Sequence, residues 1–208
     1  MNTRVEKDSL GTRDVPQAAY YGIHALRGQE NFPITGLPMP RSLITAIAMV
    51  KKAAAQANRD ASRLDSRLAD AIVKASDEVI NGQFHDQFIV DPIQGGAGTS
   101  FNMNANEVIA NRALEILGQE KGSYHTISPL DHVNMGQSTN DAVPTAVHIA
   151  AANELALLLE EMTRLHTAFG DCSKRFDTVI KMRRTHLQDA VPIRLGQEFH
   201  AYQQVTGR

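Results

Sequence analysis

Three short segments carry more small polar residues than a folded core requires. The first is Gly95-Gly96-Ala97-Gly98-Thr99-Ser100, followed by Asn102, Asn104, Asn106 and Glu107. Glycines admit close approach of backbone to ligand, and hydroxyls with free amides at a helix start favour an anion. The segment lacks the lysine of a phosphate loop and is not a full dinucleotide fingerprint, so taken alone a capped turn is its plainer reading. The second is Gln137-Ser138-Thr139-Asn140-Asp141 at the entry to the longest helical pattern. Capping needs one such residue. Four in succession offer several donors at a helix N-terminus, where the dipole attracts negative charge, and a carboxylate site and a simple cap stand level here. The third is Arg184-Thr185-His186-Leu187-Gln188-Asp189-Ala190, in a break between helical patterns. A histidine in such a break is a solvated loop residue, or it binds a carboxylate or moves protons near neutral pH.

Other chemistries find little support. The eight histidines form no His-x-x-x-His pair and have no neighbouring cysteine, which argues against zinc. Gly-x-Ser-x-Gly is absent, so no hydrolase elbow is present. Cys172, the single cysteine, sits beside a helical run and reads as a packed thiol. Lys181, Arg183 and Arg184 read as a solvated helix end.

The elements that would position these segments are mainly helical. Residues 1–39 read as an irregular arm punctuated by Pro16, Pro33 and Pro38. Helices are predicted over 41–60, with Leu43, Ile47, Val50, Ala54 and Ala57 on one face, and over 66–81, with Asp65 or Ser66 as cap and Gly82 beyond the end. Residues 84–90 read as extended. A helix follows from Thr99 to Leu117, closed by Gly118. The longest begins near Asp141, with a seam of Val147, Ala151, Leu155, Leu158, Met162, Leu165 and Phe169 that spans on the order of 35 Å. A seam this long asks for long helical neighbours. Pro192 is expected to open a last helix with Leu195, Phe199, Tyr202 and Val205 inward.

The composition agrees. The 208 residues are 42% hydrophobic, 21% charged and 5% aromatic, without tryptophan, which favours helix packing over a β-rich fold. A formal charge of -2 is too near neutral to suggest nucleic acid or an anionic membrane as partner. The most apolar stretch, 142–159, is interrupted by Pro144, His148, Asn153 and Glu154 and does not read as a membrane span. One cysteine excludes an intrachain disulfide and suits a reducing cytoplasm.

Together the segments resemble the aspartase/fumarase superfamily, on its aspartase side. The resemblance is carried by residues 91–100 (DPIQGGAGTS), 102–108 (NMNANEV), His132-Val133-Asn134, 137–141 (QSTND) and 184–192 (RTHLQDAVP), in the family's order. Residues 18–22 (AAYYG) and 31–36 (NFPITG) match its N-terminal arm. Fumarases typically have Gly-Thr-Gln at Gly98-Thr99-Ser100 and Ser-Ser-Asn at Ser138-Thr139-Asn140, and both differences favour aspartase. Two departures are Gly136, where Ser is more frequent, and Arg183, where Gly is usual.

The resemblance implies an N-terminal lyase domain over 1–140 and the start of a central bundle of long helices over 141–208. It implies deamination of L-aspartate to fumarate and ammonia by Cβ proton abstraction through an enediolate, in a cytoplasmic homotetramer whose sites draw on three chains. Carried over by motif, Thr99, Ser138 and Thr139 would hold the β-carboxylate, Asn140 the substrate's polar groups, and Thr185 and His186 a carboxylate. No metal or organic cofactor is implied. The family's base is a serine in a mobile loop, Gly-Ser-Ser-x-Met-Pro-x-Lys-x-Asn-Pro, which does not occur before Arg208; the chain is expected to be an N-terminal piece, inactive alone. Fumarate hydration is the competing chemistry, and a non-catalytic helical module, as in the lens δ-crystallins, the competing class.

Overall fold

The computed structural model describes residues 2–208 and divides into two compact units, Met1–Ala151 and Ala152–Arg208. In the first unit a hairpin of β1 (Thr3–Asp8) and β2 (Gly11–Pro16) pairs from Thr3↔Pro16 to Asp8↔Gly11. The helices α1 (Ile23–Asn31), α2 (Arg41–Asp60), α3 (Ser66–Ile80) and α4 (Thr99–Ile116) follow. A 3-10 turn at His85–Gln87 and a π turn at Pro129–Val133 lie between them and α5 (Thr139–Arg175).

The organising element is α4. It is buried on all sides from Phe101 to Ala110, which no amphipathic stripe would produce and which marks a helix enclosed by its neighbours. Five of its buried residues are polar: Asn102, Asn104, Asn106, Glu107 and Asn111. Buried polar groups need partners, and Asn104, Glu107 and Asn111 find theirs outside α4. Asn104 accepts from the Ile89 N–H and donates to the Gln87 carbonyl; Asn111 accepts from Gly122 and donates to Tyr20. Glu107 accepts from the N–H groups of Gly22, His24 and Ala25, and Glu6 from that of Ile23. Helix α1 has no side-chain cap of its own; these two carboxylates satisfy its free donors and complement its dipole.

Helices α2 and α3 fall where the periodicity predicts them, and α4 fills the segment expected between the Gly-rich turn and Gly118. Asp65 caps α3 by accepting from Arg67 and Leu68. The buried face of α2 is displaced from the predicted one: Ile44, Ile47, Ala48, Lys51 and Ala55 face inward, while Leu43 and Val50 flank the core and Ala57 is exposed. The N-terminal arm is not irregular, since it holds the hairpin and α1. Residues 84–90 are not extended; Phe84 takes φ 61° and starts the 3-10 turn.

The second unit contains the rest of α5, a hairpin of β3 (Ile180–Thr185) and β4 (Gln188–Arg194), and α6 (Leu195–Thr206). Phe199 packs against Phe169 and Phe176, ring centroids 6.3 and 5.7 Å apart. Pro192 does not open a helix. It lies in β4 opposite Met182, tolerated because a two-stranded hairpin has only edge strands; α6 begins at Leu195, and Val205 is 69% exposed rather than inward.

Helix α5 has 37 residues, about 55 Å. Ala142, Ala146 and Ala150 are buried in the first unit's core, but Val147, Leu155, Leu158 and Leu165 of the predicted seam stay 42–56% exposed within the single chain. An 18-residue window of this helix has a mean hydropathy of 1.5, apolar enough by length and composition alone to cross a bilayer.

Candidate active site

The first two polar segments meet at two helix starts. Gly98 immediately precedes α4 with φ 86°, a left-handed conformation that favours glycine. A Cβ on Gly98 would lie 2.8 Å from Cγ1 of Val143 in α5, so the missing side chain also admits the close approach of the two elements. Thr99 follows, exposed, its hydroxyl donating to the Gly96 carbonyl at 2.6 Å. Across the contact, Ser138 precedes α5, and its Oγ accepts from the Asn140 N–H at 3.2 Å. Its carbonyl accepts from Asp141 and Ala142, which makes Ser138 the helix cap. Ser138 and Asn140 are exposed and Thr139 is half-buried. Asp141 is the one acidic residue in the first turn.

Beneath this surface lies an amide network. Asn102 donates to Oγ1 of Thr139 at 3.3 Å and to Oδ1 of Asn134 at 3.1 Å, tying the second turn of α4 to the first residue of α5. Asn134 Oδ1 also accepts from Asn106 and from Nζ of Lys51, and Asn134 donates to the Gln137 carbonyl. Lys51 donates as well to Oε1 of Gln137 at 2.9 Å. Burial pulls the Lys51 amine down to about 7. Oδ1 of Asn102 and of Asn106 are buried without a partner.

The Gly-rich loop is held at its start by Asp91. Its carboxylate accepts from the backbone of Thr35, Gly36 and Ile93 and from the Thr35 hydroxyl. Burial pushes the carboxyl up, but these hydrogen bonds outweigh it and hold it at about 2.

Thr185 and His186 belong to the second unit. They lie at the exposed end of the β3–β4 hairpin, whose two turn residues, His186 and Leu187, take φ 51° and 61°. A two-residue hairpin turn of this hand needs positive φ at both positions and normally uses Asn-Gly, so the tip holds a strained backbone with non-glycine side chains. Leu187 is 93% exposed. Arg183 lies in β3 beside the register shift between Met182 and Arg184, and its φ is not positive, so the angle there does not require glycine. At Gly136, by contrast, φ is 69° and glycine suits it.

Sequence reasoning brought out Thr99 and 138–140 but passed over Lys51 and treated Asn102 and Asn134 only as parts of strings. The available signal was a lysine one step from an apolar stripe, indistinguishable in sequence from a solvated one.

Residues 11–208 match the protein family described as Lyase, and the chain belongs to that family. It is 60% identical to an aspartate ammonia-lyase of Bacillus subtilis, over 99% of this chain and 43% of that protein. It is 54% identical to a class II fumarate hydratase of Halobacterium salinarum, over 96% of this chain and 42% of that protein. Among solved structures it matches a fumarate lyase:delta crystallin of Brucella melitensis with a TM-score of 0.90 and 52% identity, covering 99% of this chain and 48% of that one. The chain thus spans less than half the length of the curated relatives it matches.

Proposed function

We propose that the full-length protein to which this chain belongs converts L-aspartate to fumarate and ammonia. The observation that carries this is the meeting of two helix starts, α4 at Thr99 and α5 at Ser138–Asn140, with hydroxyls and an amide at the surface between them. The Cβ proton of aspartate is barely acidic. A base takes it, and the C–H electron pair moves into the adjacent carboxylate as an enediolate. Collapse of the enediolate forms the carbon–carbon double bond and expels ammonia from Cα. Donors aimed at the carboxylate stabilise charge where it develops. Thr99, Ser138 and Thr139 take that role, Asn140 binds the substrate's remaining polar groups, and Thr185 and His186 bind a carboxylate, supplied by another copy in a homotetramer.

The serine loop that serves as base in the aspartase/fumarase superfamily has no counterpart within these 208 residues, so the chain alone is inactive. The exposed leucines of α5 are covered by long helices of other copies in the full-length assembly, which accounts for its apolar window without a membrane. The protein works in the cytoplasm, a reading in keeping with the single thiol of these 208 residues.

The similarity to a fumarate hydratase favours a second reading, hydration of fumarate at the same site. Ser100 and Thr139 argue for the amine. The test is to supply the full-length protein with L-aspartate and follow fumarate by ultraviolet absorbance. Fumarate from aspartate supports the proposal; turnover of malate with none of aspartate overturns it.

A further inference from the structure

Helix α2 places one lysine in the interior. Lys51 is 0% exposed, and the atoms bonded to its Nζ are two neutral amide oxygens, Oδ1 of Asn134 and Oε1 of Gln137. An ammonium has three donors, so one is left over. Among the described residues no carboxylate forms an ion pair with Lys51, and burial lowers its basicity. One acceptor is shared three ways, since Asn134 Oδ1 takes Lys51, Asn102 and Asn106 together, while Oδ1 of Asn102 and of Asn106 accept from no described group. The result is a buried amine bonded only to neutral amide oxygens beside Gln137, in a place where an unpaired charge is costly. Such a cation is compensated when negative charge arrives from outside, and the segment it holds is the one that faces solvent with Ser138 and Asn140.

We propose that Lys51 is a positioning residue of the site: it fixes Asn134 and Gln137, and through them the Ser138–Asn140 turn, and its charge is the counter-charge for a doubly negative dicarboxylate bound there. This inference rests on the dicarboxylate reading given above. It predicts that a carboxylate introduced beside Lys51 competes with the ligand for the same positive charge.

The experiment uses the full-length protein as wild type, Gln137→Glu and Lys51→Met. Calorimetric binding of succinate, an unreactive dianion, is compared with that of monomethyl succinate, which has one charge fewer. Gln137→Glu gives Lys51 an internal partner but gives up the amide's bonds to the Val133 and Met135 carbonyls, so the readout is charge selectivity: the succinate Kd rises by about tenfold or more and the monoester Kd by clearly less. Lys51→Met produces the same charge-selective loss; if it fails to fold, Gln137→Glu decides. Unchanged succinate binding in Gln137→Glu, or equal losses for both ligands, overturns the inference, since a merely disturbed turn would weaken both alike. A wild type that binds no succinate also overturns it. A wild type that binds succinate but makes no fumarate from aspartate overturns the lyase reading and leaves the role of Lys51 to the variants.

Discussion

Asn102 of α4 donates its amide to the hydroxyl oxygen of Thr139, the first residue of α5, across 3.3 Å. The bond occupies a lone pair of the hydroxyl and leaves its proton free for a ligand. In the full-length protein Thr139→Val keeps the volume and removes that donor. The expected loss is on the order of 10²-fold in kcat, without loss of fold. Thr185→Val should behave alike. Initial rates of fumarate formation, with circular dichroism as control, check both; full activity in the two variants would reduce these residues to helix and hairpin structure.

Gly98→Ala meets two obstacles at once, a φ of 86° and a Cβ position 2.8 Å from Val143. The expected cost is about 1–3 kcal/mol, read as a lower thermal midpoint of the full-length protein. Adding Val143→Ala relieves the contact but not the backbone angle, so recovery should be partial. Complete recovery would mean that the angle carries no cost.

Asp91 gives the fold an acid-sensitive clasp between Thr35–Gly36 and the Gly-rich loop. Its folded value of about 2 lies below the ordinary 3.8. The carboxylate therefore contributes stability that is full above the ordinary value and is lost as the pH falls through the interval between the two. Asp91→Asn should be less stable than wild type at neutral pH and show a shallower decline below pH about 4. Urea midpoints at several pH values test this; parallel decline in both proteins would contradict it.

The 208-residue chain by itself exposes Leu155, Leu158 and Leu159 on α5. A long apolar stripe in water is unfavourable, so the isolated chain should self-associate, by antiparallel packing of α5 and α6 against copies of themselves, and should produce no fumarate. Light scattering and an aspartate assay on one sample read both; a monodisperse monomer, or measurable turnover, would overturn the respective half.

Much of the helical framework was legible because its signals are local. The Asp65 cap and the three- and four-residue spacing of Leu68, Ile72, Ala75 and Val79 need only their own segment. The N-terminal hairpin was illegible for a physical reason: Arg4 and Glu6 point inward and pair at 2.8 Å while Val5 is 70% exposed, so the alternation runs opposite to the hydrophobic rule. Helix α1 was hidden because its capping carboxylate, Glu107, lies more than 80 residues away in sequence. The helical start expected at Pro192 failed because a proline that suits a first turn suits an edge strand equally. In the site, the hydroxyls were visible as a cluster, whereas Lys51 was not, since nothing in a sequence marks which lysine the packing will enclose.

The hairpin turn at His186 and Leu187 has an energetic meaning. Two side chains that resist left-handed backbone angles are nevertheless fixed in them at the apex, so the shape is bought during folding rather than at the moment of docking. In the assembly proposed above, such an apex would meet a neighbouring copy with the cost of its turn already met in folding. Asn-Gly at these positions would relax the turn and make a more comfortable hairpin, but one with nothing at its point.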